Sequence, residues 1–428
     1  MSGGGVLRVQ GAVAKGFESV RDLYEQEMRT MAEEHTQLCV YYRGERVIDL
    51  WAAPAGDAGF SPDSLVNVFS SGKSLESIAM AVLVGRGQLD YAAPVASYWP
   101  EFAAHEKGKL TVADVLRHEG GMAAFRTSLD PDDLRPVSLK QNKVGAVIES
   151  HSLRFPTGDR GKREYHAITR GWILNEVFRR VDPAGRTIGE FYDEEIRRPL
   201  DADVIIGVRE AELARIVKVK PLGFLFLFLQ SLMPRVLGRK ITHHFLQIVG
   251  RILLVLPGLR HASTGGAPPP YAGMKGIGFF NERSVAMGET PSAGAKCSAR
   301  GLAKLAAVMA ARGRWAEREI VSEAAWKAMH DEPVEAFMGF APTAFTQGGV
   351  NRFTAVGPKA TALERAFNTG REGFYGWMGL GGSIFQWHPA HEIGFAFVPT
   401  ALHVLDILNE RGKVYQAEVL RCVERLRG

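Results

Sequence analysis

Two β-hairpin patterns, one near each end of this 428-residue chain, constrain its fold most strongly. Leu38-Cys39-Val40-Tyr41-Tyr42 and Arg46-Val47-Ile48-Asp49-Leu50-Trp51 are β-rich runs that meet at Arg43-Gly44. At the far end, Gly382-Ser383-Ile384-Phe385-Gln386-Trp387 and Ile393-Gly394-Phe395-Ala396-Phe397-Val398 flank a turn at 389–392. Amphipathic patterns adjoin both pairs. Residues 16–34 carry Phe17, Val20, Leu23 and Met28 near helical spacing, and residues 404–426 carry Leu405, Ile407, Leu408, Val414, Val419 and Leu420 on a face suited to packing on a sheet. The middle reads as helical at 75–86, 112–118, 145–151 and 168–181. The expectation is an α+β fold: one antiparallel sheet joins the chain ends, terminal helices flank it, and a mainly helical region is inserted between. The α/β part is expected at about 12–80 and 275–428, the helical part at about 81–210 and an apolar insertion at about 211–270, all in one domain.

Composition narrows the function. With 46% hydrophobic residues the chain can bury a large core, and its net charge of +5 is spread thinly over 52 basic and 47 acidic residues. No nucleic-acid-binding pattern is present, so a nucleic-acid partner is not expected. Cys39, Cys297 and Cys422 are odd in number and far apart, which argues against a disulfide framework and for a reducing compartment. The first residues lack the basic-then-apolar layout of a secretory signal, and a cytoplasmic protein is expected. Gly3-Gly4-Gly5 reads as a loose terminus and not as a phosphate loop. His243 and His244 are adjacent and point to different sides of a helix, and no His/Asp/Glu group has ligand spacing, so no metal is expected.

The motif that carries chemistry is Ser70-Ser71-Gly72-Lys73, which opens the helical pattern at 75–86. A serine at a helix start meets free N–H groups and a dipole that favour developing negative charge. Three residues on, Lys73 lies on the same face, and a buried lysine with a depressed pKa can accept the serine's proton. The plain alternative is a helix-capping serine beside a solvated lysine. Gly-x-Ser-x-Gly is absent, which excludes an α/β-hydrolase nucleophile elbow.

Three segments tip the balance. The run from Asn67 to Ser74, with Leu89-Asp90-Tyr91 and Tyr98-Trp99-Pro100 after it, resembles the carboxylesterase branch of the class C β-lactamase-like, penicillin-binding-protein-like serine hydrolases. Tyr165-His166-Ala167-Ile168-Thr169 resembles that branch's second signature, and Tyr375-Gly376-Trp377-Met378-Gly379-Leu380-Gly381-Gly382 its third. The resemblance implies a β-lactamase/transpeptidase-like fold and an acyl-enzyme on Ser70. It makes Lys73 and Tyr165 the proton-handling pair, with Tyr165 a phenolate or sharing a proton with Lys73 once nearby cations lower its pKa. It places the oxyanion hole at the backbone N–H groups of Ser70 and Leu380, with Gly379 and Trp377 beside the substrate, and implies no cofactor. Two departures stand out. Ala167 replaces a family Asn or Ser, and Trp377 replaces a Lys or His that binds a substrate carboxylate or tunes the tyrosine. An indole is only a donor, so these changes favour neutral, apolar acyl esters over β-lactams and D-amino-acid peptides.

Three other readings share the sequence: an acyltransferase using the same acyl-enzyme, a β-lactamase or D-amino-acid peptidase, and a catalytically silent binding protein on this fold. His118 is read as structural, as are Ser292-Ala293-Gly294 and Ser298-Ala299-Arg300. The apolar block 221–256 reads as a lid or wall over the acyl pocket. The other readings are a peripheral membrane contact helped by Arg235, Arg239, Lys240 and Arg251, and plain core or oligomer contact. Neither half has the ~20 apolar residues of a membrane span, and a Gly/Pro-rich linker follows at 265–270. A fluorophosphonate probe is expected to label the peptide containing Ser70, read by mass-spectrometric mapping. Labelling of a different serine, or unchanged labelling of Ser70→Ala, would remove the basis of the serine assignment.

Overall fold

In the computed structural model, which describes residues 6–155, 162–261 and 267–428, the terminal hairpins share one sheet as expected. Three strands lead: β1 (Leu7–Val13), β2 (Thr36–Tyr42) and β3 (Glu45–Pro54). A short strand β4 (Leu65–Asn67) precedes Ser70, and β5 (Val204–Ile205), β6 (Ile216–Val217) and β7 (Lys296–Cys297) join it in a small sheet of order β5-β7-β4-β6. The C-terminal part supplies β8 (Val334–Phe337), β9 (Pro342–Phe345), β10 (Asn351–Arg352), β11 (Tyr375–Met378), β12 (Ile384–His388) and β13 (Ile393–Pro399). The main sheet has the order β1-β3-β2-β13-β12-β11-β10-β9-β8, antiparallel throughout. Its seam is β2 against β13, with Val40 opposite Phe395 and Leu38 opposite Phe397.

The helices include α1 (Glu18–Thr30), α2 (Gly72–Gly85), α3 (Val112–Leu116), α4 (Lys143–Ser150), α5 (Thr169–Val181), α6 (Phe224–Leu232), α7 (Phe245–His261), α8 (Ala299–Ala310) and α9 (Glu410–Arg427). The period-2 alternation of β13 decides which helix packs on which face. Phe395 and Phe397 join Val20 and Tyr24 of α1 and Tyr415 and Val419 of α9 in one cluster. Ala396 and Val398 turn the other way and join Leu302 and Leu305 of α8. The sheet is thus buried on both faces, and α2 and α5 pack together in the larger cluster that contains α8.

Three features add to or correct the sequence reading. β1 was not anticipated; its residues pair with Ile48–Pro54 of β3 and cover that part of the strand's edge. The C-terminal helix begins at Glu410 and not near 404, because Asn409 takes a left-handed conformation and the Asp406 carboxylate accepts the N–H groups of Glu410 and Arg411, both at 2.9 Å. Leu405 and Ile407 therefore lie in a loop. The apolar insertion forms two helices, α6 and α7, joined by a turn at Arg235–Leu237. The Gly3-Gly4-Gly5 terminus and Gly265 of the linker lie outside the described residues. Among those described, no helix is long and apolar enough to cross a membrane.

Gly394 marks how closely α8 rides on the sheet, since a Cβ there would sit 2.3 Å from Ala307 N and 2.7 Å from Ala303 O. Gly394→Ala is expected to destabilise the fold by roughly 1–3 kcal/mol through overpacking, measured by urea unfolding; an unchanged midpoint would show that the helix can retreat freely.

Candidate active site

The strand β4 ends at Asn67, and the chain then turns through Phe69, which takes a left-handed φ of +46°, into a single tight turn, Phe69–Ser71, that leads into α2. A left-handed, non-glycine residue is held only by its surroundings. Here the surroundings are specific. Ser71 Oγ lies 3.0 Å from Ser383 Oγ, whose hydroxyl donates to Val68 O at 2.6 Å. A Cβ on Gly379 would sit 2.3 Å from Val68 O, so only glycine lets the end of β11 approach the Ser70 turn so closely.

Tyr165, from the coil before α5, reaches this turn and donates its O–H to Ser70 Oγ at 2.5 Å. The Trp377 indole N–H donates to Tyr165 Oη at 3.2 Å. Trp377 therefore does bear on the tyrosine, contrary to the expectation that its indole could not tune it. The donor occupies the phenol oxygen and favours the ionised form. Lys73 is fully buried in the first turn of α2, with Nζ 4.9 Å from the centre of the Tyr165 ring. Its recorded hydrogen bonds go to Ala167 O at 2.7 Å and Ser292 O at 3.3 Å, and among the described residues none joins it to Ser70 or Tyr165 Oη. What residue 167 gives Lys73 is a main-chain carbonyl, so the Ala167 departure leaves this contact intact.

Burial sets the charges. It drives Lys73 well below the ordinary lysine value, with nearby Glu76 opposing and Arg170 reinforcing the shift. Burial also raises Tyr165, against its hydrogen bonds with Ser70 and Trp377 and the Arg170 charge, which lower it. Burial thus pushes the phenol toward its protonated form and the amine toward its neutral form.

Several supporting residues escaped the sequence reading. Arg170 and Glu76 form an ion pair with neither side chain exposed, and Arg170 also donates to Lys73 O at 2.8 Å and Leu116 O at 2.7 Å. Ser292 Oγ donates to Glu76 at 2.9 Å while its carbonyl takes the Lys73 amine. Ser298, by contrast, is the anticipated helix cap, accepting from Gly301 N. His118 is structural as expected: its Nδ1 accepts the His166 N–H at 3.0 Å, and its ring lies 5.0 Å from Tyr165. Burial, then Arg170 and Lys73, drive His118 well below the ordinary histidine value.

Ser70, Tyr165, Trp377, Gly379 and Leu380 all line one cavity of about 240 Å³. Leu380 lies in the turn after β11 and not on a strand. The remaining wall is largely apolar, with Phe340, Phe367, Met378, Val404 and Ile407, and two polar residues, Asp406 and Asn409. No Lys, Arg or His side chain is part of this lining among the described residues. No described residue of the apolar insertion lines the cavity either. The insertion backs the wall instead: Leu227, Ile241 and Ile248 pack on Val404 and Leu405. The lid expectation is corrected accordingly.

A cluster that spacing did not reveal lies behind this wall. Ligand-type atoms of His243, Asp406 and Glu410 come within 4.8 Å of one another. Arg251 pairs with Glu410, and its guanidinium lies 2.8 Å from His243 Nε2, so a cation already balances the two acids. Burial opposes protonation of His243, but Asp406 and Glu410 outweigh it and raise the imidazole above its ordinary value.

Residues 20–414 match the family described as Beta-lactamase. The chain belongs to the beta-lactamase family. Over 169 residues it is 37% identical to the Esterase/beta-lactamase LipL of Mycobacterium tuberculosis, an aligned stretch of 39% of this chain and 37% of LipL. Among solved structures, a family VIII carboxylesterase is 24% identical, with a TM-score of 0.73 over 97% of this chain and all of that one. EstA from Arthrobacter nitroguajacolicus Rue61a is 22% identical, with a TM-score of 0.75 over 98% of this chain and all of that one. These similarities show that the β-lactamase/transpeptidase-like fold is shared.

Trp377→Phe is expected to keep the fold while removing one neutral hydrogen bond, worth about 1 kcal/mol, so ester-hydrolysis kcat should fall roughly five-fold. The Tyr165 titration should move upward, read from the alkaline side of the pH–rate profile. An unchanged rate and profile would show that the indole has no hold on the tyrosine.

Proposed function

We propose that this β-lactamase-fold hydrolase is a serine carboxylesterase that cleaves neutral esters with apolar acyl groups through an acyl-enzyme on Ser70. The observation that carries the reading is the 2.5 Å hydrogen bond from Tyr165 to Ser70 Oγ, in a cavity whose lining is mostly apolar.

The proton positions suggest how the roles divide. A neutral amine has two N–H donors and one lone pair; two carbonyls take both donors of Lys73, leaving the lone pair to accept a proton. Ser70 Oγ attacks the ester carbonyl as its proton passes to Lys73. The oxyanion is received by the main-chain N–H groups of Ser70 and Leu380. Tyr165, protonated at rest, delivers its proton to the departing alkoxide, and the Trp377 indole and the Arg170 charge stabilise the phenolate left behind. Water then attacks the acyl-enzyme, gives a proton to the phenolate and releases the acid, while Lys73 returns its proton to Ser70. Both residues end in their starting states.

The absence of a cation among the described lining residues weighs against a substrate carboxylate, so a chromogenic cephalosporin should turn over slowly or not at all. An acyltransferase would use the same residues, and an added alcohol acceptor would divert product from acid to ester.

With p-nitrophenyl acyl esters, Ser70→Ala and Lys73→Met are each expected to lose at least about 10³-fold in kcat/KM. Wild-type kcat/KM should fall as pH drops through the lowered Lys73 pKa, because the protonated amine has no lone pair to offer, and the midpoint should lie well below the ordinary lysine value of 10.5. Full activity of Ser70→Ala would end the proposal.

A further inference from the structure

The insertion helices present apolar surface on both sides. Their inward residues Leu227, Ile241 and Ile248 are buried against the 404–405 loop. Their outward residues face solvent: Phe224 is 84% exposed, Val236 92% and Leu246 72%, with Leu225, Leu237 and Leu253 also exposed. A helix that is apolar all round needs a second apolar partner, and a contiguous patch of this kind on a folded surface marks a contact site.

The local charge identifies the partner. From residue 216 to residue 281 the sequence has no Asp or Glu. Over the same stretch Lys218, Lys220, Arg235 and Lys240 are exposed, and Arg235 and Lys240 lie in and just after the turn between α6 and α7, next to Val236 and Leu237. Lys220 and Arg235 reach Glu34 and Glu27 near the end of α1, at 2.7 and 3.6 Å, while keeping most of their own surface in solvent. A two-fold contact between two copies through this face would set these cations against their own copies. Apolar side chains flanked by lysine and arginine suit an anionic bilayer surface, where the rings and methyl groups enter the acyl region and each nearby cation adds attraction to the headgroups.

We propose that the outward face of α6–α7 docks this protein on anionic phospholipid membranes. The docked face is backed by Val404, which also lines the cavity, so docking brings the cavity wall next to the bilayer. The proposal does not depend on the chemistry assigned to Ser70.

The test is flotation of the full chain with vesicles of phosphatidylcholine alone and of phosphatidylcholine with phosphatidylglycerol. The protein is expected to float with the anionic vesicles, about ten-fold more weakly with the neutral ones, and to be released by high salt. The triple variant Phe224→Ser, Val236→Ser, Leu246→Ser should lose flotation yet keep the wild-type circular-dichroism spectrum and urea-unfolding midpoint, which shows that it is folded. Charge reversal by Lys218→Glu with Lys240→Glu should weaken anionic binding in the same assay. Failure to float with anionic vesicles, equal binding to both compositions, or undiminished binding of the triple variant would overturn the proposal. So would a stable solution dimer that the triple variant converts to monomer, because that would assign the face to a second copy.

Discussion

Arg170 and Glu76 face each other with no access to solvent, and the candidate site is arranged around them. Taking both charges out of water is expensive, and removing either partner alone leaves an unpaired buried charge costing about 3–5 kcal/mol. The pair is worth that risk only if its remaining donors and acceptors are filled, and they are. Arg170 reaches the carbonyls of Lys73 and Leu116, and Glu76 takes the Ser292 hydroxyl. One ion pair thereby fixes α2, which carries Lys73, against α5, whose preceding coil carries Tyr165, and against the segment whose carbonyl holds the lysine amine.

The same burial explains why the proton-handling groups sit in unusual states. Surrounding cations act on Tyr165, His118 and Lys73 together, yet desolvation is the larger effect at all three. It moves the phenol up and the amine and imidazole down, so each is pushed toward its uncharged form. In the mechanism we propose, a neutral amine and a protonated phenol serve as an acid–base pair whose proton affinities differ in the direction the chemistry needs. The Trp377 indole and the Arg170 charge oppose desolvation only at the tyrosine oxygen, the atom that would carry charge during the reaction.

The insertion connects to this site through apolar packing and a polar contact. The Val404–Ile407 loop has the cavity on one side and α6–α7 on the other, and Asp406 in that loop ties the two together through His243 on one side and the start of α9 on the other. The insertion and the cavity wall thus meet at a few residues of irregular chain.

The local sequence determined much of this protein. Period-2 runs at both ends specified strands, and the helical periodicity at 75–86 and 168–181 located α2 and α5 to within a few residues, because these segments bury a face whose spacing is set by the backbone itself. Ser70-x-x-Lys73 and the glycines of the 379–382 segment were legible for the same reason: their meaning depends on neighbours in the chain. The β1 edge strand was not, since its alternation is half exposed and only pairing with β3 defines it. Nor was the loop before α9, where a left-handed Asn409 and an aspartate cap override an apolar pattern that reads as helix. The Tyr165–Trp377 hydrogen bond, the Arg170–Glu76 pair and the His243–Asp406–Glu410 cluster were decided only by tertiary structure. Their members are 212, 94 and up to 167 residues apart, and no local periodicity encodes which distant charges and donors a fold will bury together.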